Sequence, residues 1–314
     1  MSSKIIRQPN LPNFLIAGAA KCGTTSLYHY LGQHPDVFLS NPKEPNFFSG
    51  LAVYSGSGPG DDRVAESSIA TFEEYRRLFA DVRNHKAIGE GSVSTLFHHK
   101  RAILAIHRHL GDPRIIIILR DPVDSIYSTY NFMRRLGRET LPFTEALNRE
   151  EARKQMGFMW VWQYREARYY ARQIRAFQEN FSRVKVLLFE DLKTTPASVL
   201  HSVCDFLEID PDCDIDTRYV LNVSGTPKIA WFNTLFVKPK RLHKIGRKIG
   251  STLLGINRWV GLREYLMRAN LQKPAPMPPE IKRQLKAEYR EDILKLQIAI
   301  RRDLHDWLTE AEKV

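Results

Sequence analysis

Residues 115–119 read Ile-Ile-Ile-Ile-Leu. A run with no polar face, mostly β-branched, suits a strand buried on both sides of a parallel sheet. Arg120-Asp121-Pro122 ends it. Pro122 fits the first turn of a following helix, which runs to about Leu136, where Gly137 stops it. A second buried strand is expected at Val184–Phe189, closed by Glu190-Asp191-Leu192 and followed by a helix over 196–207. Upstream, Phe14 to Ala17 forms a short apolar run ending in Gly18, with helical spacing from Thr24 to His34. Lys86 to Gly91 reads as a short strand. Helices are predicted over 72–82, 98–110 and 160–181, the last carrying Trp160, Trp162, Tyr169 and Tyr170. That aromatic set reads as core, with stacking on adenine or a sugar ring as the alternative. From about Pro279 a final apolar stripe runs through Ile281, Leu285, Ile293, Leu296, Ile300, Leu304 and Trp307. Strands alternating with helices predict an α/β fold: a parallel sheet with right-handed crossovers and helices on both faces.

The loop after the first strand is Gly18-Ala-Ala-Lys21-Cys22-Gly23-Thr24-Thr25-Ser26. Small residues let the backbone approach an anion, and the N–H groups opening the next helix point at it. Lys21 adds a positive charge, and three hydroxyls follow. The loop is P-loop-like, yet the nucleotide-triphosphatase pattern sets its lysine after the last glycine, directly before Ser or Thr. Here Lys21 precedes Gly23, which disfavours a metal-dependent kinase or NTPase. A plain strand-to-helix turn with a solvated lysine is the alternative for the loop alone. Arg120 also stands at the end of a buried strand, the edge where open α/β sheets bind ligands. Its guanidinium suits a phosphate; pairing with a nearby carboxylate is its alternative, and Ser128 can be an ordinary helix serine.

The formal net charge of +12 points to an anionic partner without choosing one. No helix-turn-helix, zinc-finger or RNA-reading signature accompanies it, so a nucleic-acid-binding module is disfavoured. Cys22, Cys204 and Cys213 give neither a disulfide framework nor a zinc pattern and read as reduced thiols. No apolar stretch suits a signal peptide or a spanning helix. A soluble, cytoplasmic protein is expected. The 314 residues are read as one domain, with a core over 12–230 and a basic helical extension plus the last helix over 231–314. Residues 233–271 alternate basic and apolar, as in helices over an active-site mouth or against an anionic membrane; a solvated face is the alternative.

Together the two loop segments resemble the family of sulfotransferases that use 3'-phosphoadenosine-5'-phosphosulfate (PAPS). Lys21-Cys22-Gly23-Thr24-Thr25 matches its 5'-phosphosulfate loop, and Arg120 to Ser128 its 3'-phosphate element. His34-Pro-Asp-Val37, Lys43-Glu44-Pro-Asn46-Phe-Phe48, Gly89-Glu90-Gly91-Ser92 and Leu187 to Leu192 resemble segments of the branch acting on heparan sulfate and other carbohydrates. Asn222 to Lys228 resembles a late loop closing over the nucleotide.

The resemblance implies PAPS as co-substrate, PAP (3'-phosphoadenosine-5'-phosphate) as product, and no metal. Lys21 and Glu44 would be catalytic, with Glu44 the base. Lys21, Cys22, Gly23, Thr24, Thr25, Ser26, Arg120, Ser128, Gly225 and Lys228 would bind the nucleotide. Lys43, Asn46, Glu90 and Ser92 would face the acceptor, expected to be a carbohydrate, glycolipid or other small molecule. His98, His99 and His107 are fallback bases. Asn46 stands where a histidine is common and Gly91 where a lysine is common, which leaves the acceptor open. A catalytically dead nucleotide binder is disfavoured because Lys21, Glu44, Arg120 and Ser128 are all present.

Overall fold

The computed structural model describes residues 10–54, 56–218, 226–227, 271–272 and 274–309. Along the chain run β1 (Phe14–Gly18), α1 (Thr24–Leu31), β2 (Val37–Leu39), α2 (Asp61–Ser67), α3 (Phe72–Arg77), β3 (Ala87–Gly91), α4 (Ser94–Phe97), α5 (His99–Leu110) and β4 (Arg114–Leu119). Then follow α6 (Pro122–Arg135), α7 (Phe143–Asn148), α8 (Glu150–Gln155), α9 (Tyr170–Asn180), β5 (Val184–Leu188), α10 (Phe189–Thr194), α11 (Pro196–Leu207), α12 (Pro279–Ile300) and α13 (His305–Leu308).

Five strands form one parallel sheet in the order β2-β3-β1-β4-β5, flanked by helices. Every residue of β1, β3 and β4 is buried, as strands in the middle of such a sheet are, including Glu90 in β3 and Arg114 in β4. From β1 the chain goes first to the edge strand β2 and returns to β3 between the two, then crosses to β4 and β5 on the other side. The carboxyl ends of β1 and β4 therefore flank the point where strand order reverses, the crevice in which open α/β sheets hold ligands. Lys21 follows one of these strands and Arg120 the other. The Ala19 N–H donates to the Ile118 carbonyl over 2.8 Å, which ties the start of the Lys21 loop to β4.

Four expectations change. The three-residue β2 lacks a readable period and went unpredicted. The helix expected over 72–82 is regular only to Arg77 and then tightens into turns, with Phe79 N–H donating to Arg76 O. The single helix expected over 160–181 is two 3₁₀ turns, Trp160–Trp162 and Glu166–Arg168, followed by α9. The buried Glu150 carboxylate accepts from the Arg165 and Glu166 N–H groups, displacing the carbonyls a continuous helix would use. The final stripe likewise divides, because Arg301 takes a left-handed conformation (φ 53°) and ends α12 before Trp307.

Candidate active site

Lys21 and Gly23 both sit at positive φ, 64° and 91°, so the loop bends back before α1 begins. Gly23 is obligatory twice over. Its φ is unfavourable for other residues, and a Cβ there would lie 2.8 Å from the Phe189 ring. No side chain caps α1 and no acidic residue occupies its first turn, so its amide dipoles favour an anion. Thr24 is buried, while Thr25 and Ser26 are partly exposed on the first turn.

The Lys21 ammonium lies 4.5 Å from the centre of the Phe132 ring. Burial, with Arg135, Arg120 and Arg168 nearby, pushes it down to about 8. Four cations thus converge where no carboxylate pairs with Lys21 among the described residues. Arg120 stacks over Phe189, 4.9 Å from its ring centre, and pairs with Asp124 at 3.3 Å. Asp124 is half exposed, so the pair is weak and a phosphate can displace it. Ser128 lies one turn beyond Asp124 on the same face of α6, largely buried.

Across the crevice, residues 43–50 dock on the end of β3. The Glu44 N–H donates to Gly91 O, and a Glu44 carboxylate oxygen accepts the Val93 N–H, both over 3.0 Å. The other carboxylate oxygen pairs with Lys43 at 2.6 Å. Glu44 and Asn46 both hold left-handed backbones, φ 66° and 54°. A chain of buried hydrogen bonds keeps them there. Ser92 Oγ donates to Glu90 over 2.8 Å and accepts the Asn46 N–H over 3.0 Å. Ser94 Oγ donates to Asn46 Oδ1 over 2.6 Å, and Asn46 Nδ2 donates to the Glu44 carbonyl over 2.8 Å. Burial raises Glu90 to about 8, so it is a neutral acid at pH 7. Val93 and Ala20 pack against one apolar cluster around Leu51, Trp160 and Ala167, which joins the Glu44 side to the Lys21 loop.

A family model described as "Sulfotransferase family" matches residues 12–212. The chain belongs to the sulfotransferase family.

A sulfotransferase from Alicyclobacillus acidocaldarius has the same fold, with 32% identity, a TM-score of 0.75, and coverage of 95% of this chain and 99% of that one. Human carbohydrate sulfotransferase 15 is 28% identical over 165 residues, 43% of this chain and 29% of that protein. Human heparan sulfate glucosamine 3-O-sulfotransferase 3B1 is 27% identical over 268 residues, 83% of this chain and 62% of that protein. The chain therefore spans less than a third of the first relative and under two thirds of the second.

Within this sulfotransferase the structure brings Lys21 and Arg120 together at the ends of neighbouring strands, with Gly23, Thr24, Thr25 and Ser26 directly after Lys21 and Ser128 on the helix that follows Arg120. Cys22 turns the other way: its thiol is fully buried, 3.8 Å from both Ser125 Oγ and the Tyr170 hydroxyl, and burial pushes it up. Only its backbone can meet a ligand. Lys43 and Glu44 are partly exposed, whereas Asn46, Glu90 and Ser92 are buried in each other's hydrogen bonds. Those three hold Glu44 in place and do not line open space. Gly225, Lys228 and the basic stretch 233–270 lie outside the described residues. His107 stacks on Phe181 at 4.6 Å, toward the far end of α5. Trp162 is core, its indole N–H donating to Asp61 over 3.0 Å.

Arg168 is the residue that pattern reading missed. It is 1% exposed, donates to the Ser125 and Thr129 hydroxyls, and keeps its Nη1 buried without a partner among the described residues. Its only sequence signal is an arginine among aromatic residues, which marks no function. Among the described residues no group of three or more His, Cys, Asp or Glu stands close enough to hold a metal ion.

Proposed function

We propose that this sulfotransferase moves the sulfuryl group of PAPS to a hydroxyl or amine of a carbohydrate or glycolipid, leaving PAP. The acceptor oxygen or nitrogen attacks sulfur in line as the bond from sulfur to the phosphate oxygen breaks. Glu44 takes the acceptor proton. Lys21 and the first-turn N–H groups of α1 stabilise the negative charge growing on the phosphate. Arg120 and Ser128 hold the 3'-phosphate, which fixes the nucleotide at both ends.

One observation carries the reading: Lys21 and Arg120 converge at the tips of neighbouring strands, at the switch point of the sheet. An anionic ligand with two separated phosphates matches that pair of cations. Glu44 suits the base because its carboxylate is partly exposed and its backbone is locked from behind. The acceptor class follows the printed names of the relatives, which include carbohydrate and heparan sulfate enzymes.

The test has two parts. PAP binding is measured by calorimetry, and candidate glycans and glycolipids incubated with isotope-labelled PAPS are examined by mass spectrometry for a transferred label. Glu44→Gln should lower turnover about 10²–10⁴-fold with PAP affinity unchanged. Near-normal turnover in that variant removes Glu44 from the role, and absence of PAP binding removes the donor.

A further inference from the structure

A second pocket, about 340 Å³, opens where α5 begins. Lys100, Arg101 and Arg172 line it, with His98 and His99, and Glu166 is the one acid on its wall among the described residues. Glu166 is already paired with Arg172, so the pocket carries surplus positive charge. The start of α5 adds to that charge. Its first turn holds His99, Lys100 and Arg101, with no acidic residue and no side-chain cap. Cations at a helix N-terminus oppose the helix dipole. His98 is part-buried at the pocket's edge, its Nε2 screened from solvent and, among the described residues, without a hydrogen-bond partner. The excess of cations at an uncapped helix start is offset by one occupant that is negative and accepts hydrogen bonds.

We infer that this pocket is an oxyanion site, taking a carboxylate or sulfate group, separate from the crevice that holds Lys21 and Arg120. Two connections place it beside the proposed acceptor segment. Arg101 donates to the Ser49 carbonyl over 3.3 Å, and Ser49 Oγ donates to the Asn46 carbonyl over 2.9 Å. Phe97 stacks on Trp160 at 5.6 Å, forming an apolar wall between the pocket and the cluster on which Ala20 packs. His98 meets the edge of Trp160 and feels the charges of Arg101 and His99. The oxyanion belongs either to the acceptor itself or to a free inorganic ion. The site stands without the donor assignment; the PAP block used in the titration and the acceptor arm of the test rest on it.

The probe is sodium sulfate, added at constant ionic strength to the full chain labelled at its imidazoles and followed by NMR. His98 and His99 are assigned with the single variants His98→Gln and His99→Gln. PAP binding is measured first, so failure of the donor reading shows there, and saturating PAP keeps sulfate out of the Lys21 crevice. Both imidazoles should shift along a saturable curve with a midpoint of ~1–10 mM. Lys100→Gln combined with Arg172→Gln should raise that midpoint at least about fivefold, the other histidine signals reporting that the fold is kept. Linear shifts, or a midpoint the double variant leaves unchanged, overturn the site. If sulfate raises the acceptor KM without weakening PAP, the acceptor supplies the oxyanion. If sulfate saturates the pocket and leaves that KM unchanged, the occupant is a free ion.

Discussion

Arg168 Nε donates to the hydroxyl of Ser125 over 3.2 Å, and that hydroxyl donates onward to the Ala20 carbonyl over 3.1 Å. A fully buried guanidinium is thereby fastened to the back of the loop that carries Lys21. Its hydrogen bonds go to hydroxyls, and among the described residues it forms no ion pair, the buried Glu150 carboxylate sensing its charge only at longer range. Arg168 is therefore a positioning residue that also adds positive potential beneath the proposed donor site. Arg168→Met should weaken PAP binding about tenfold or more, since a hydrogen-bonded buried charge is lost. Arg168→Lys should recover part of that affinity by restoring the charge alone. Calorimetry with PAP and a melting curve for each variant separate the two roles. A lowered Tm with unchanged PAP affinity would assign Arg168 to structure only.

Lys21 gives a pH test with a defined sign. Its ammonium is held down to about 8 by burial and by neighbouring cations, so the unliganded protein begins to lose that charge in mildly alkaline solution. Phosphate oxygens beside Lys21 favour the charged form. Binding should then take up a proton above about pH 8 and none at clearly lower pH, with affinity falling up to about tenfold per pH unit above that point. Calorimetry in buffers of different protonation enthalpy counts the proton directly. Lys21→Ala should remove the uptake; an uptake that persists points to another group.

The strand ends and helix starts of the two segments proposed to contact phosphate were readable because each couples a buried strand to a helix start, and both signals are local. The run at 115–119 and the apolar stretch before Gly18 announce strands buried on both faces. The acceptor side was read differently. Asn46, Glu90 and Ser92 come from two distant segments, and only the docking of residues 43–50 on the end of β3 turns them toward one another. Nothing in a linear pattern distinguishes a polar residue facing a ligand from one satisfied by a neighbour. Arg168 is the same problem in reverse. It stands in an aromatic stretch with helical spacing, and the Glu150 carboxylate, far from it in pattern terms, breaks that helix and sends its guanidinium inward.

Glu90 makes the buried network measurable. An ordinary glutamate ionises near 4.3, whereas burial keeps Glu90 neutral up to about 8. The folded state thus binds a proton that the unfolded chain has already released. This contribution to stability is complete below the unfolded value and is lost as pH rises through the folded one. Glu90→Gln keeps an oxygen that accepts from Ser92 and has nothing to titrate. Its Tm relative to the parent should climb from about pH 5 to about pH 8 and level off above that. A difference that stays flat with pH would place an ionised Glu90 in the folded protein.

Gly91 and Tyr28 explain why a lysine is missing beside Glu90. A Cβ at position 91 would lie 3.0 Å from Tyr28 Cδ2 and 3.2 Å from Cε2. The ring has little room to give, because its hydroxyl donates to the Ser40 carbonyl over 2.6 Å and it packs against the core. Lys43 extends over the same ring, 5.8 Å from its centre, so a cation is delivered to this place from the neighbouring segment. Gly91→Lys alone should cost about 1–3 kcal/mol by overpacking. In a Tyr28→Ala background the penalty should shrink, and the two changes should couple favourably by about 0.5 kcal/mol or more in a double-mutant cycle. Denaturant melts of the four proteins decide it. Additive penalties would mean that the Tyr28 ring is not what keeps position 91 a glycine.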